Sequence, residues 1–513
     1  MDTTETQPKP MSRPLSAIAG LAAGAFGLGV AELVASSSNR LRSPIIDVGD
    51  RVVDNVPPVI KDLAIALFGT NDKLVLLLTI GVLVALLAAT IGVVALRRRL
   101  IQGLIGVGLF ALLGVSAALA ARTGTDIVAT VPTLVGSATT AIALIALDRM
   151  KPSGRLADRG TDPGRRSFVL GVGTLAAAGV AAGVLGRQLT ERAGRAMRDA
   201  LGLPVPASPL APIDGAAQAP SAAPFITSNE DFYRIDTALE VPRVDLDTWE
   251  LRVSGMVERP LRFTWEELIE RPVVESDITL TCVSNTLGGD LIGTARWLGI
   301  RLDDLLADAG IVAGADQIVG RSVDGYTCGF PVDALDGRDA LVAIAMNGEP
   351  LPLEHGFPAR LIVPGIYGYA SATKWLTEIE LTTFDAFDHY WVPRGYAAEA
   401  PIKLQSRIDS PRGLDRIGAG PTVLGGVAWA QPTGISGVDV RVDDGPWQPA
   451  ELAAEVNGST WRQWSLPWMA TPGRHTISVR ATDANGRQQT DERVEPLPDG
   501  ATGHHTIVVL VDE

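Results

Sequence analysis

The chain is short of the residue types from which many redox centres are built. Among its 513 residues only two are cysteine, Cys282 and Cys328. Histidine occurs five times, at His355, His389, His475, His504 and His505, and residues 1–200 contain none. A haem held by paired histidines on facing helices of the first half is therefore excluded. No Cys-x-x-Cys-His attachment and no flavin or iron–sulfur motif occurs, so any electrons must enter or leave through an external carrier. Aromatic content is 5%, and no basic stripe interleaved with aromatics runs through the second half, which argues against nucleic acid as a partner.

What is present is unevenly spread. Ala, Leu, Val and Gly concentrate in the first 200 residues, while the carboxylates gather after Asn229 and the net charge is −14. Five apolar stretches, 15–35, 74–96, 100–121, 127–147 and 168–185, are long enough or nearly so to cross a hydrocarbon core of ~30 Å as helix. The stretch 59–68 is too short and follows Pro57 and Pro58, so it reads as interfacial or re-entrant. Arg97, Arg98 and Arg99, and the group Arg149, Lys151, Arg155, Arg159, Arg165 and Arg166, mark two loops as cytoplasmic. That orientation places everything after Leu185 outside. Arg40, Arg42, Arg51, Lys61 and Lys73 in the first outer loop run against it, so the first span carries the weakest assignment.

Residues 201–224, LGLPVPASPLAPIDGAAQAPSAAP, are Pro- and Ala-rich without hydrophobic period and read as a semi-extended tether. From Phe225 to about Phe384, strand-like runs such as ITLTCV alternate with helix-like ones such as RLDDLLADAG, the pattern of an α+β domain. After about Ala400 the helical signal ends. Val438, Val440 and Val442 alternate before an Asp-Asp-Gly turn, and Ile477 and Val479 precede Asn485-Gly486, which predicts an antiparallel β-sandwich. Cys282 ends an apolar strand and opens a Ser-, Asn- and Gly-rich turn, a place from which a side chain projects into a cleft. By residue type alone it has three readings: a disulfide with Cys328, a free buried thiol, or a metal thiolate.

Several blocks in order, TLTCVSN, ARWLGIRLDDLL, DGYTCGFP, MNGEPLPLEHGFPARLIVPG and KWLTEIEL, resemble the sulfite oxidase family of molybdopterin enzymes. The resemblance covers about Asn229 to Leu381, and the following sandwich is similar to that family's dimerisation domain. Residues 1–200 lie outside the family's common core; the apolar spans and the Pro/Ala-rich segment predict an N-terminal α-helical membrane bundle (1–200) and the linker (201–224), and the resemblance adds an α+β molybdopterin-binding domain of sulfite oxidase type (225–390) and a C-terminal immunoglobulin-like β-sandwich (391–513), a multi-domain fold. The cofactor implied is molybdenum-molybdopterin, with Cys282 the metal's thiolate ligand, since a soft sulfur suits a metal already held by dithiolene sulfurs. Cys328 then reads as a small buried residue.

By the same resemblance Tyr326 lines the substrate pocket and assists proton movement, and Asp324 binds the pterin. Asn229, Tyr233 and Arg234 belong to an entry loop over the cofactor. His355 and Arg360 meet its phosphate, and Ala372, Thr373 and Lys374 form a contacting triplet. One departure stands out: sulfite oxidases follow the cysteine with Cys-x-x-Asn-Arg, whereas here Asn285 precedes Thr286 and Leu287. Losing that cation argues against sulfite unless Arg296, Arg394 or Arg462 compensates.

The function expected is oxygen-atom transfer by a membrane-anchored enzyme with its head on the outer face. The substrate is a small oxyanion or an S- or N-oxide, the electron partner a cytochrome or membrane haem protein, and the resemblance implies a homodimer. The rivals are an S- or N-oxide reductase, acting for example on methionine sulfoxide, and a non-catalytic envelope module with a Cys282–Cys328 disulfide. The Arg165-Arg166 pair before Ser167-Phe168-Val169-Leu170 matches a twin-arginine export motif. Such a route fits a head that must fold around its cofactor before crossing.

Overall fold

The computed structural model describes residues 11–56, 72–120, 126–151 and 163–513. The expected interfacial stretch 59–68 lies outside them. Two compact units result, one formed by Met1–Ala196 with Ala238–Arg243, the other by Met197–Thr237 with Val244–Glu513.

The first unit is helical: α1 (Arg13–Ala35), α2 (Pro44–Asn55), α3 (Asp72–Arg97), α4 (Leu100–Leu119), α5 (Val131–Arg149) and α6 (Pro163–Asp199). Five segments are long and apolar enough to cross a membrane, Arg13–Ala35, Lys73–Arg97, Leu100–Leu119, Ile127–Arg149 and Arg166–Asp199. They fall where the apolar stretches predict. Leu78, Leu83 and Leu86 of α3 and Ile101 and Leu112 of α4 are exposed, a surface suited to hydrocarbon rather than water. Inside the bundle small residues let backbones touch. A β-carbon on Gly20 would stand 2.6 Å from Gly92 Cα, and one on Gly27 would stand 2.4 Å from the Gly136 carbonyl oxygen. The C-terminus of α1 is closed by Arg243, whose guanidinium donates to the carbonyls of Ala35 at 2.5 Å and of Ser36 and Ser38 at 3.0 Å. Helix α2, begun by Pro44, is an element that no apolar run announces.

The second unit contains four sheets. In the first, β2 (Leu261–Thr264), β1 (Glu250–Gly255), β10 (Leu376–Thr382), β5 (Gln317–Ser322) and β6 (Thr327–Pro331) lie in that order. The second runs β3 (Val274–Thr281), β4 (Ile292–Arg301), β7 (Leu341–Met346), β8 (Glu349–Pro350), with β9 (Arg360–Ile362) also paired to β7. Strand β7, LVAIAM, is buried at every residue, and its period-2 alternation feeds two cores. Leu341 and Ala343 join Ile278, Leu280, Trp297 and Phe357 on one face. Val342 and Ile344 join Leu251, Ile318 and Leu381 on the other.

The C-terminal part is a two-sheet β-sandwich, as the alternating valines predict. One sheet is β11 (Gln405–Ser410), β13 (Gly420–Trp429), β17 (Arg462–Ala470) and β16 (Glu451–Leu452); the other is β12 (Arg416–Gly418), β19 (His505–Asp512), β18 (Gly473–Asp483), β14 (Ile435–Val442) and β15 (Gln448–Pro449). Leu424 and Trp464 of the first meet Val440, Ile477, Val479 and Val509 of the second in a shared core. The loops before β17 brace β3. The Thr279 amide donates to the Ser459 carbonyl at 3.0 Å, and the Trp461 amide donates to Thr279 Oγ1 at 2.8 Å. The strand that ends at Cys282 is thereby fixed from behind.

One expectation gains detail and one rival reading is corrected. Residues 201–224 carry little regular structure but do not hang free. Ala219 donates to Gln463 Oε1 at 2.7 Å, Gln463 Nε2 donates to the Ala223 carbonyl at 2.6 Å, and Arg296 donates to the Ala211 carbonyl at 2.8 Å. Without strand or helix partners, the segment's backbone groups find side chains on the sandwich and on β4 instead. The disulfide of the non-catalytic alternative is absent, because both cysteines are free and buried.

Candidate functional site

Cys282 stands one residue beyond β3, where pairing with β4 ends at Thr281 and Ile292. The turn is closed by Asn285, whose amide donates to the Cys282 carbonyl at 3.0 Å and whose Oδ1 accepts from the Leu291 amide at 3.0 Å. Gly288 completes it at φ +75°, and a β-carbon there would lie 2.1 Å from His505 Nε2. Only glycine satisfies both conditions. The loop is thus locked, and the thiol it holds is 6% exposed. Burial raises its pKa, against smaller lowering by hydrogen bonds from Ser284.

The thiol opens on a cavity of about 710 Å³ lined by Tyr233, Asp236, Ser322, Asp324, Tyr326, Arg360, Tyr369, Ala372, Lys374 and Trp391, among others. Three loops meet there. The β5–β6 turn presents Asp324 and Tyr326 around Gly325 at φ +77°. Asp324 Oδ1 accepts from the Tyr326 amide at 3.2 Å, while its Oδ2 is buried without a partner. The first residue of β9 is Arg360, and the segment before β10 brings in Lys374.

The cationic side of the cavity is costly as it stands. Arg360 is 4% exposed. Its Nη1 donates to the His355 carbonyl at 2.9 Å, its face lies 5.2 Å from the Trp297 ring, and its Nε has no partner. Burial lowers its pKa to about 10. Lys374 donates to Asp236 Oδ2 and to the Glu354 carbonyl, both at 2.9 Å. Burial draws it down to about 8, with Asp236 opposing and Arg360 assisting. Two buried cations facing one carboxylate make a site that favours an anion.

Of the residues marked in sequence, Tyr233, Cys282, Asp324, Tyr326, Arg360, Ala372 and Lys374 line this cavity, whereas Asn229, Arg234, His355 and Thr373 do not. Asn229 is a brace: its Nδ2 donates to the Met346 carbonyl, its Oδ1 accepts from Asn347, and its own carbonyl accepts from His355 Nε2 at 3.0 Å. The His355 imidazole is therefore committed to that carbonyl and does not line the cavity. Burial, then the charges of Arg360 and Lys374, hold it neutral with a pKa of about 4. Lys374, rather than His355, supplies the second cation. Arg234 pairs with Asp236 at 2.9 Å, and Thr373 Oγ1 turns back to the Gly320 carbonyl at 3.4 Å.

Tyr326 Oη donates to the Tyr369 carbonyl at 2.5 Å, and burial keeps its pKa well above the usual phenol value. None of the three arginines considered as replacements for the missing cation lines the cavity. Arg296 is bound to Asp277 at 2.9 Å, Arg462 donates to the Ala453 and Ile435 carbonyls, and Arg394 lies over the Tyr390 ring at 3.7 Å. Sequence reasoning missed Asp236, Ser322, Tyr369 and Trp391. Asp236 follows Tyr233 by three residues and Tyr369 precedes Ala372 by three, so extending each marked block by one turn finds both.

Known proteins give this geometry its context. The family described as oxidoreductase molybdopterin binding domain matches residues 238–391. Human mitochondrial sulfite oxidase is 29% identical over 317 residues, covering 52% of this chain and 58% of that protein. The Bacillus subtilis uncharacterized oxidoreductase YuiH is 34% identical over 152 residues, covering 30% of this chain and 74% of that protein. Among solved structures, the sulfane dehydrogenase SoxCD from Paracoccus pantotrophus shares the fold, with a TM-score of 0.50, 22% identity, and coverage of 59% of this chain and 90% of its own. The chain spans a little over half the length of the human sulfite oxidase it matches. On these matches it belongs to the sulfite oxidase family of molybdopterin-binding oxidoreductases, with molybdenum-molybdopterin as its cofactor.

Proposed function

We propose that the chain catalyses two-electron oxygen-atom transfer at molybdenum, on the outer face of a membrane that its helices cross, exchanging electrons with an external cytochrome or membrane haem protein. The observation that carries this reading is one cavity lined by the buried thiol of Cys282 and by two buried cations, Arg360 with an orphaned Nε and Lys374.

The donor set fits the cofactor. Cys282 would be the protein's sulfur ligand, Arg360 and Lys374 would hold the phosphate, and Asp324, whose Oδ2 is buried without a partner, would offer an acceptor to the pterin. Tyr233 and Ala372 border the pterin. Asn229, Arg234, His355 and Thr373 act one layer back, holding the groups that touch it. The bound cofactor supplies the two-electron redox couple and the open position at which oxygen is exchanged. Tyr326 holds a proton at Oη beside the cavity and can release it only by leaving the Tyr369 carbonyl. Tyr369 and Trp391 add aromatic wall to the cavity. The sandwich is read as immunoglobulin-like and as the dimer contact, and Arg165-Arg166 as a twin-arginine export signal.

A second reading, reduction of S- or N-oxides, is favoured by the absence of any spare arginine at the cavity. A neutral oxide needs no counter-cation, whereas sulfite does. The test is metal analysis of the purified full chain followed by a redox-dye assay with sulfite, sulfoxides and N-oxides. Molybdenum equimolar with the chain and turnover abolished in Cys282→Ser support the proposal. Protein without molybdenum from cells that make the cofactor contradicts it.

A further inference from the structure

The membrane unit has a cavity of its own. It measures about 640 Å³ and lies among α1, α3, α4 and α5, lined by glycines 20, 24, 27 and 136, by Leu28, Ala31, Val84, Leu87, Ala88, Ile91, Val107 and Phe110, and by the hydroxyl residues Thr133, Ser137 and Thr140. Packed helices leave few voids larger than a water molecule, so a gap of this extent, part of it open to the surroundings, marks a place where the helices do not close on one another.

Its polar features are specific. The three hydroxyl residues follow one another on α5 at spacings of four and three, so they share one face. Thr140 spends its hydroxyl on the Gly136 carbonyl at 3.0 Å. Thr133 does not: it is 6% exposed and its Oγ1 has no partner. The Thr133 methyl carries the helix contact, because a β-carbon on Gly114 of α4 would meet Cγ2 at 2.7 Å, nearer than Oγ1 at 3.5 Å. A buried hydroxyl without an acceptor is destabilising unless something fills that role. Among the described residues none that lines the cavity is charged. The occupant is thus neutral, apolar over most of its surface, and carries a hydrogen-bond acceptor near Thr133.

We propose that this cavity binds an isoprenoid quinone, with a ring carbonyl accepting from Thr133 Oγ1, the ring beside Phe110 and the tail along the apolar wall of α3. A phospholipid fits less well, since its phosphate would meet no cation here. The binding concerns the anchor alone and holds whatever reaction the molybdenum domain performs.

The test uses the full chain in nanodiscs of phosphatidylcholine with a short-tail photoreactive naphthoquinone as probe. The expected result is saturable labelling of α1 or α5 peptides, weakened about tenfold in apparent affinity by Thr133→Val, which keeps the shape and removes one buried hydrogen bond. Ser137→Leu, which fills the cavity, should abolish labelling. If either variant fails to reconstitute, competition of the wild type by unlabelled naphthoquinone decides. Labelling that is unsaturable, insensitive to both substitutions, or displaced equally by excess phospholipid overturns the proposal. Molybdenum content and dye-linked turnover, read on the same samples, report separately on the head.

Discussion

Arg360 and Lys374 are the residues whose burial makes least sense without an anion. Burial lowers both, to about 10 for Arg360 and about 8 for Lys374, so both remain mainly charged at neutral pH, and Asp236 balances one of the two. A charge-assisted contact to a phosphate contributes on the order of 1.5–3 kcal/mol. Arg360→Gln should therefore lower pterin retention by about tenfold to a hundredfold while leaving the far-ultraviolet circular dichroism unchanged, measured by pterin fluorescence after denaturation. Lys374→Met should act in the same direction. His355 makes a separate prediction for cofactor-free protein. Its pKa of about 4 lies below the 6.5 of an unfolded imidazole, so on acidification the unfolded chain takes up the proton first. The stability is complete above 6.5 and is lost as the pH falls towards 4, by on the order of 3 kcal/mol. His505, also held at about 4 by burial and then by Arg407, adds a like term. Denaturation midpoints measured at pH 7 and pH 5 should differ less in His355→Gln than in the wild type.

The element that decides the site is the turn from Cys282 to Leu291. Its geometry depends on Gly288, where φ is +75° and the space of a β-carbon is taken by His505 from the last strand. Gly288→Ala combines left-handed strain with a clash, a cost of about 1–3 kcal/mol, and should lower both the melting temperature and the molybdenum content. An unchanged metal content would show that the turn does not set the sulfur's position. Much at this scale was legible in the sequence. The alternation of β14 and β18 and the polar turn after Cys282 follow from periods and turn chemistry. The tether did not, because its polar partners, Gln463 and Arg296, lie far along the chain and composition carries no trace of them. Helix α2 escaped notice because a short amphipathic piece begun by Pro44 looks like loop beside the apolar spans. His355 was read as a phosphate ligand because its spacing to Arg360 is visible in sequence, whereas the Asn229 carbonyl that holds its ring is not.

At the scale of the whole molecule, a head that closes around a buried organic cofactor is joined to helices apolar enough to enter a membrane. The proposed placement of the head on the outer face demands a route for folded cargo, and the Arg165-Arg166 pair at the start of α6 is the sequence feature proposed to meet that demand. Replacing both with lysine conserves charge and should leave the head protected from externally added protease in spheroplasts. Digestion equal to wild type would remove the export assignment while leaving the active site untouched. The most direct measurement of the central claim is molybdenum K-edge X-ray absorption on the wild type and on Cys282→Ser, each loaded with cofactor. The account predicts one fewer sulfur neighbour at the metal in the variant; an identical sulfur shell in the two would contradict it.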